Sequence, residues 1–377
     1  MKILMLNYEF PPIGGGAGQA HLAILKQYAG RDNLTVDVLA SAPKPGFSVE
    51  KLSHNVIIHT AGVHKKNLHY WRKIEVVEWV ARATPPYRRL LKENHYDLVH
   101  AFFGLPTGWL CYRTAEQLPY IISLRGSDVP GGHARLQLEY KLLGPLLKRI
   151  WTKAAALVAC SEGLKKRAMR FLPSVNIDVI PNGVDLNRFQ PAPTRGTAGK
   201  LNLLTVGRLS VTKRVEMLID AIEILRKKGK PVRLTISGGG GLLERLKSLV
   251  EQKGLGDIIN LTGRIETDKM PDVYRQHDIF VSASMQEGMS NAMLEAMASG
   301  LPIVTTRCEG VDELISGNGF VVEQDSAESL AEAIDKLAQD EQGYKRMCAA
   351  ARHRAENFGW NKVAEEYIKL YQRICGK

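Results

Sequence analysis

Two glutamates near residue 290 have the side chains and the spacing that a site for a sugar phosphate would need. Seven residues separate Glu287 from Glu295. The apolar run 278–281 before them predicts a buried strand, and the pattern after them predicts a helix that ends at Gly300. We therefore expect Glu287 in a loop and Glu295 on the first turns of that helix. Carboxylates accept hydrogen bonds from hydroxyls, and the backbone N–H groups of a helix start favour an anion.

Two cations follow an earlier predicted strand, 202–206. Arg208 offers a planar guanidinium that matches phosphate oxygens, and Lys213 offers a compact ammonium. Held together, they could stabilise the negative charge that grows on a leaving diphosphate. Taken alone, each cation is more readily explained as an ordinary solvated side chain. Taken alone, the two glutamates are more readily explained as part of a solvated loop and helix face.

Two glycine-rich loops also follow predicted strands, at residues 11–18 and 237–241. Glycine lets a backbone approach a ligand closely, and a helix start beyond the loop adds the positive end of a dipole. The first loop contains Gly15 and Gly16 but lacks the third glycine of the dinucleotide fingerprint in both registers. An NAD site is therefore only weakly indicated, and a flexible glycine turn is the alternative.

Length and composition predict a soluble protein of about two domains. The chain has 377 residues, of which 45% are hydrophobic and 24% charged. No apolar run reaches the roughly 18 residues that span a bilayer, and the opening run is too short for a signal peptide. The five cysteines are scattered and support neither a disulfide framework nor a zinc site. We expect a cytoplasmic protein.

Positive charge is concentrated in the first half of the chain. Residues 1–190 carry 25 Lys and Arg against 14 Asp and Glu, a difference of +11, whereas the rest carry 26 against 25. Basic and aromatic residues mix across 64–92, which suits an anionic surface at the inner face of the cell membrane. A solvated basic face is the alternative. Nucleic acid is not an expected partner, because no reader motif is present.

Short β-branched apolar runs alternate with helical patterns along the chain and predict an α/β fold with parallel sheets covered on both faces. Turn residues concentrate at 181–185, so we expect two similar domains, 1–185 and 186–358. The tail 359–377 has the pattern of an amphipathic helix. The predicted strands are 2–6, 35–40, 56–59, 98–102, 120–124, 156–159, 178–180, 202–206, 233–237, 258–262, 279–282, 303–305 and 320–322.

Several short motifs follow one another along nearly the whole chain. They are Pro181-Asn182-Gly183-Val184-Asp185 with Phe189 and Pro191, Gly207-Arg208-Leu209 with Lys213, Glu287-Gly288 with Leu294-Glu295-Ala296-Met297-Ala298 and Gly300-Leu301-Pro302, Gly310-x-x-Glu313, and Phe358-Gly359-Trp360. Together they resemble glycosyltransferase family 4, the group 1 enzymes, which are retaining and have the GT-B fold. That resemblance implies two facing Rossmann-like domains with a deep cleft between them. The first would bind the acceptor and the second a nucleotide-sugar, and the last helix would cross back to the first.

The resemblance also assigns roles to residues. Arg208 and Lys213 would bind the donor diphosphate, and catalysis would rest on them and on Glu287. Glu287 would bind the hydroxyls of the donor sugar, and Glu295 those of the ribose. Further donor contacts would come from backbone amides near Met289, Ser290 and Asn291 and from a base-binding loop at Gly263 and Arg264. Gly15 and Gly16 would approach the donor phosphates or the acceptor from the first domain.

The implied reaction moves a sugar from a UDP- or GDP-sugar to an acceptor hydroxyl with retention of the anomeric configuration. The leaving phosphate would help to accept the proton of the acceptor. Many members of the family act on lipid-linked or cell-envelope acceptors, so we expect an envelope glycan or a glycolipid as the product. The chain has no Asp-x-Asp triplet to bring a metal to the diphosphate, and we expect no metal and no other cofactor.

One position departs from the family pattern. The family often has a histidine beside the donor sugar where this chain has Arg125, at the start of Arg125-Gly126-Ser127-Asp128. Arginine is larger, permanently charged and a good partner for carboxylates. We therefore expect Arg125 and Asp128 in the sugar pocket or beside the acceptor, and an altered pocket that suits a negatively charged or bulkier donor. An ion pair between Arg125 and Asp128 is the structural alternative.

Other functions fit parts of the pattern. Paired carboxylates suit a glycosidase, but that function leaves Arg208, Lys213 and the glycine loops without a role. A sugar-nucleotide epimerase, an NAD-dependent dehydrogenase and an inactive homologue that binds a partner are further alternatives. The presence of both cations and both glutamates argues against the inactive homologue.

Overall fold

A computed structural model describes residues 1–68, 70–132, 137–193, 200–323 and 326–376. The chain divides into two compact units. Unit 1 comprises Met1–Asn182 together with Trp360–Lys377, and unit 2 comprises Gly183–Gly359. None of the helices in these described stretches is long and apolar enough to cross a membrane.

Unit 1 is built on an eight-stranded sheet with the order β3-β4-β2-β1-β5-β6-β7-β8. Neighbouring strands are parallel, except that β3 pairs with β4 in the antiparallel direction. Parallel pairing needs crossover segments, and helices supply most of them. The strands are β1 (Lys2–Asn7), β2 (Thr35–Ala42), β3 (Gly46–Ser53), β4 (Val56–Gly62), β5 (Leu98–Phe102), β6 (Tyr120–Leu124), β7 (Ala156–Ala159) and β8 (Ile177–Val179).

The last helix of the chain completes the core of unit 1. Its buried side chains Val363, Tyr367 and Tyr371 pack in the same apolar cluster as Ile24 and Tyr28 of the first helix. The tail therefore contributes its apolar face to a core formed mainly by the first half of the chain. The helices are α1 (Gly16–Tyr28), α2 (Lys73–Glu93), α3 (Thr107–Tyr112), α4 (Gln137–Lys153), α5 (Glu162–Phe171) and, at the end of the chain, α13 (Trp360–Cys375).

Unit 2 is built on a six-stranded sheet, parallel throughout, with the order β11-β10-β9-β12-β13-β14. The strands are β9 (Leu201–Val206), β10 (Val232–Ser237), β11 (Ile259–Gly263), β12 (Ile279–Ser282), β13 (Ile303–Thr306) and β14 (Gly319–Val322). The helices are α6 (Val215–Lys227), α7 (Leu243–Gln252), α8 (Met270–Arg275), α9 (Asn291–Ala298), α10 (Val311–Leu314), α11 (Ala327–Gln339) and α12 (Glu341–Ala355).

The predicted α/β class with parallel sheets is confirmed in both units. Each predicted strand corresponds to an observed strand, with ends that differ by at most three residues. Sequence analysis missed β3, whose first six residues are exposed. Backbone pairing with β4 holds this edge strand in place, so its sequence carries little of the apolar signal that marks a buried strand.

Candidate active site

The carboxyl ends of three neighbouring strands of unit 2, namely β10, β9 and β12, surround a small pocket. Open parallel sheets bind their ligands at this edge. Arg208 is the second residue after β9, Lys213 lies in a short 3-10 turn before α6, and Ser290 precedes α9. The pocket is lined by Thr205, Val206, Gly207, Arg208, Leu209, Lys213, Val215, Ile236, Ser237, Phe280, Ser282, Ser284 and Ser290.

The turn that carries Lys213 is fastened to the loop after β12. The backbone N–H of Met285 donates to the carbonyl of Thr212 at 2.9 Å. Arg214 Nε donates to the carbonyl of Ala283 at 2.8 Å. Arg214 has a φ of 45°, so it reverses the chain between the turn and α6 in a conformation that few non-glycine residues adopt. These contacts fix the position of the backbone from which the Lys213 side chain extends.

Lys213 and Glu287 are in direct contact. The ammonium of Lys213 forms an ion pair with Oε1 of Glu287, and Ser284 Oγ donates to the same oxygen at 3.0 Å. Glu287 lies in the loop before α9, as predicted. The pair places an ammonium group beside a carboxylate. A ligand with a phosphate next to a polyhydroxyl ring matches that arrangement.

Glu295 lies on α9, as predicted, and has a different partner. The hydroxyl of Tyr274 donates to Glu295 Oε2 at 2.8 Å. Burial raises the pKa of Glu295 to about 7, while the Tyr274 hydrogen bond and the positive charge of Arg188 act in the opposite direction. A carboxylate that is poorly solvated gains more than an exposed one from the hydroxyl groups of a ligand.

The start of α9 is set by a serine cap. Ser290 Oγ accepts a hydrogen bond from the backbone N–H of Met293 at 3.3 Å, which is typical of a helix N-cap. Asn291 is the first helical residue, and Met289, which lies two residues before it, is buried. Of the predicted backbone contacts, the structure thus places the one at Ser290 on the wall of the pocket.

The predicted base-binding loop follows β11, which neighbours β10 in the sheet. Gly263 is the last residue of β11, and its carbonyl accepts the backbone N–H of Gly238 at 2.8 Å. Arg264 follows and is exposed. The loops after β9, β10 and β11 therefore lie side by side along one edge of the sheet.

Two glycines of the 237–241 loop have a packing role that the sequence did not reveal. A Cβ atom at Gly238 would lie 1.8 Å from the carbonyl oxygen of Gly207, and one at Gly240 would lie 2.2 Å from that of Leu209. The missing side chains let this loop lie directly against the backbone on both sides of Arg208. Gly239 has open space around its would-be Cβ.

Gly238→Ala should therefore destabilise unit 2. The clash is with backbone, which cannot rotate away, and we expect a loss of about 3 kcal/mol in the free energy of unfolding. Urea unfolding of the variant measures this loss. Gly239→Ala is the matched control and should change stability by less than about 1 kcal/mol. Equal stability of the two variants would contradict the packing role.

The remaining predicted residues belong to unit 1. Gly15 occupies the N-cap position of α1, and Gly16 is the first residue of that helix. Arg125 follows β6, where its Nη2 donates to Asn182 Oδ1 at 2.7 Å and its guanidinium lies over the ring of Phe102. The structure describes these residues at the carboxyl edge of the unit 1 sheet.

An ion pair between Arg125 and Asp128 was the structural alternative, and the hydrogen bonds of these two side chains have other partners. The carboxylate of Asp128 accepts backbone N–H groups, from Gly104 at 2.8 Å and from Arg125 at 2.8 Å. The guanidinium of Arg125 is instead directed to Asn182. Backbone donors give Asp128 a turn-forming role, and burial raises its pKa despite them.

Sequence analysis missed three residues that support the site. Tyr274 is fully buried and is bonded to Glu295, Ser284 is bonded to Glu287, and Arg214 fastens the turn of Lys213. The two serines that follow the apolar part of β12 were a usable signal, since polar residues at the carboxyl end of a buried strand face the ligand edge. Nothing in the sequence distinguished Tyr274 from an ordinary core aromatic.

Solved structures share this fold. Sucrose-phosphate synthase from Thermosynechococcus elongatus superposes with a TM-score of 0.82 and 20% identity, over 100% of this chain and 99% of that one. HepE of Anabaena, solved with UDP and glucose, gives a TM-score of 0.77 and 20% identity, over 99% and 100%. These enzymes have the GT-B fold, and the expected fold class is confirmed.

Sequence relatives and family models agree with that fold. A GDP-mannose-dependent alpha-(1-6)-phosphatidylinositol monomannoside mannosyltransferase of Mycobacterium tuberculosis H37Rv is 30% identical over 285 residues, 70% of this chain and 72% of its own. The candidate colanic acid biosynthesis glycosyltransferase WcaL of Escherichia coli K12 is 26% identical, over 88% and 84%. The model for Glycosyltransferase Family 4 matches residues 14–188, and that for Glycosyl transferases group 1 matches residues 190–354. The chain belongs to glycosyltransferase family 4 and is a group 1 glycosyltransferase with the GT-B fold.

Proposed function

We propose that this glycosyltransferase moves a sugar from a UDP- or GDP-sugar to an acceptor hydroxyl, with retention of the anomeric configuration, in the synthesis of a cell-envelope glycan or glycolipid in the cytoplasm. The observation that carries the proposal is the pocket at the carboxyl edge of the unit 2 sheet. Arg208 and Lys213 both line this pocket, and Glu287 is bonded to Lys213.

The cations would act on the leaving group. When the bond between the anomeric carbon and the diphosphate oxygen breaks, negative charge grows on that oxygen. Arg208 and Lys213 can stabilise it without reorganising, because the turn contacts described above already hold Lys213 in place. The acceptor oxygen bonds to the anomeric carbon on the same face, and its proton passes to the departing diphosphate. The balance of this reaction requires no metal or other cofactor.

The glutamates would position the donor. Glu287 contacts Lys213 and would therefore lie next to the donor phosphate, where it can accept hydrogen bonds from the hydroxyls of the sugar. Glu295 lies further along α9, and we assign it to the ribose hydroxyls. Both contacts would orient the anomeric carbon, and orientation of reacting groups is a major source of rate enhancement.

The relatives support the classes of donor and acceptor. By their names, the mycobacterial relative uses GDP-mannose and acts on a phosphatidylinositol mannoside, and WcaL is connected with colanic acid, while HepE was solved with UDP. Two of these names concern nucleoside diphosphates. Two concern complex glycans or glycolipids, which supports an acceptor of that kind here.

A thermal-shift screen across UDP-, GDP- and ADP-sugars tests the donor class. A ligand at 100 times its Kd stabilises the folded state by roughly 2.7 kcal/mol, so one base should raise the Tm by several degrees. The same ligand should produce a much smaller shift in Arg208→Ala. An unchanged shift in that variant would contradict the assigned pocket. Interconversion of the donor sugar without an acceptor would contradict transfer and indicate an epimerase.

A further inference from the structure

Two helices of unit 1 expose large aliphatic side chains to solvent. On α2, Ile74 is 65% exposed and Val77 is 63% exposed. On α4, Leu138 is 65% exposed and Leu142 is 70% exposed. Residues three or four apart lie on one face of a helix, so each pair forms a short apolar stripe. Several aliphatic side chains exposed in one region are typical of an interaction surface.

The two stripes start next to each other. The ammonium of Lys73, the first residue of α2, forms an ion pair with the carboxylate of Glu139 on the first turn of α4. Ile74 follows Lys73 directly, and Leu138 precedes Glu139 directly. We call the surface formed by Ile74, Val77, Leu138 and Leu142 the α2–α4 face.

Cations accompany the apolar side chains on both helices. Helix α2 carries five Lys and Arg against three Glu, and α4 carries four against one Glu. On α4, the exposed Lys141 and Arg149 lie on the same side as Leu138 and Leu142. Aliphatic side chains among cations complement a layer of anionic headgroups above hydrocarbon.

The structure changes which part of the basic stretch 64–92 can take this role. Lys65 is buried and donates to Glu75 at 2.7 Å, and its ammonium lies over the ring of Trp71. Burial works against the ionisation of Glu75, but the hydrogen bond from Lys65 and further hydrogen bonds lower the pKa of Glu75 to about 2. Tyr87 is also buried, and His69 lies outside the described residues. Lys65, Glu75 and Tyr87 therefore stabilise the fold, while α4, which the sequence did not single out, joins the exposed surface.

The α2–α4 face is connected to the loops at the carboxyl edge of the unit 1 sheet. The backbone N–H of Gly14, in the glycine-rich loop, donates to the carbonyl of Leu68 at 2.7 Å, just before α2. On α4, the hydroxyl of Tyr140 donates to the carbonyl of Ser127, in the loop that follows Arg125. A surface bound at the face would lie next to the loops that follow β1 and β6.

We propose that the α2–α4 face docks onto an anionic lipid bilayer. Ile74, Val77, Leu138 and Leu142 enter the boundary between headgroups and acyl chains, and the neighbouring cations contact the headgroups. Charge complementarity favours lipid over a second, equally basic copy of this chain. The docking needs neither donor nor acceptor, so it can be tested apart from the proposed reaction.

Flotation of the full chain with vesicles tests the proposal. Vesicles of phosphatidylcholine with 30 mol% phosphatidylglycerol are compared with pure phosphatidylcholine, at low and high salt. We expect binding to the anionic vesicles that weakens with salt, because screening reduces the contribution of exposed cations. Ile74→Gln with Leu142→Gln should lower the partition coefficient by about tenfold or more, since two inserted aliphatic side chains are lost.

Two further variants sharpen the test. Val211→Gln removes a side chain that is 71% exposed in unit 2 and should leave partitioning unchanged. Lys141→Gln with Arg149→Gln should weaken binding to anionic vesicles and reduce its salt dependence. Unchanged partitioning of the Ile74 and Leu142 variant would overturn the proposal. The proposal would also be overturned if the full chain did not bind vesicles but self-associated, and if the Ile74 and Leu142 variant abolished that self-association. That result would assign the face to a second copy of the chain.

Discussion

Lys213→Ala should reduce kcat by about 10²–10³-fold, the usual effect of removing one preorganised group that stabilises developing charge. The lysine lines the pocket, is fixed by the turn that Met285 and Arg214 fasten, and is close enough to Glu287 for an ion pair. Without Lys213, no ammonium group stabilises the negative charge that grows on the leaving group. The carboxylate of Glu287 would then lie near the diphosphate without its ion-pair partner. Steady-state kinetics with the donor identified by thermal shift measure the effect.

Two comparisons separate catalysis from general charge. Arg233→Ala removes an exposed cation near the amino end of β10, away from the pocket edge, and should retain nearly full activity. Arg208→Ala should have an effect similar to that of Lys213→Ala. The double variant should lose less than the product of the two single effects, because residues that act on one group are not additive. Full activity of Lys213→Ala would contradict the proposed mechanism.

Donor affinity should rise with pH between about 6 and 8, because hydroxyl groups are best accepted by the ionised form of Glu295. Burial raises the pKa of this carboxyl to about 7. In the folded protein the protonated form is therefore favoured up to that pH, and the corresponding contribution to stability is lost as pH rises through 7. Below pH 7 the carboxyl of Glu295 is mostly protonated, so it must lose its proton when a ligand binds to the ionised form. Its Kd should then increase by up to roughly tenfold for each pH unit below the pKa.

Tyr274 provides a sharp test of this pH dependence. Its hydrogen bond to Glu295 lowers the pKa, so Tyr274→Phe should move the midpoint of the affinity profile upward by about one pH unit. Glu295→Gln should bind the donor weakly and with no midpoint near 7. Tyr87→Phe, at a buried tyrosine of unit 1, should leave the profile unchanged. Identical profiles for wild type and Tyr274→Phe would contradict the assignment of Glu295.

Buried parallel strands could be predicted from the sequence because each is a short, β-branched apolar run between helical segments. Leu98–Phe102 and Tyr120–Leu124 have the predicted ends, since both strands are buried along their whole length. Gly46–Ser53 could not be predicted in the same way. It is an exposed edge strand, and its position depends on pairing with β4 rather than on its own composition.

The candidate site was predictable where chemistry and sequence position coincide. Arg208 and Lys213 lie in the segment that follows a strand that the sequence reveals, and the structure places both at one pocket. The contact between Lys213 and Glu287 joins residues 74 positions apart, and only the fold brings them together. The same is true of Tyr274 and Glu295, and of the pairing of Arg125 with Asn182 rather than with Asp128.

The final helix has a consequence for synthesis of the chain. Because unit 1 comprises Met1–Asn182 and Trp360–Lys377, unit 2 is an insertion between two parts of unit 1. Tyr28 and Ile24 cannot gain their partners Tyr367 and Tyr371 until the ribosome has translated the whole of unit 2. Nascent unit 1 therefore exposes part of its apolar interior throughout that interval, whereas unit 2 is contiguous and can fold as soon as it emerges.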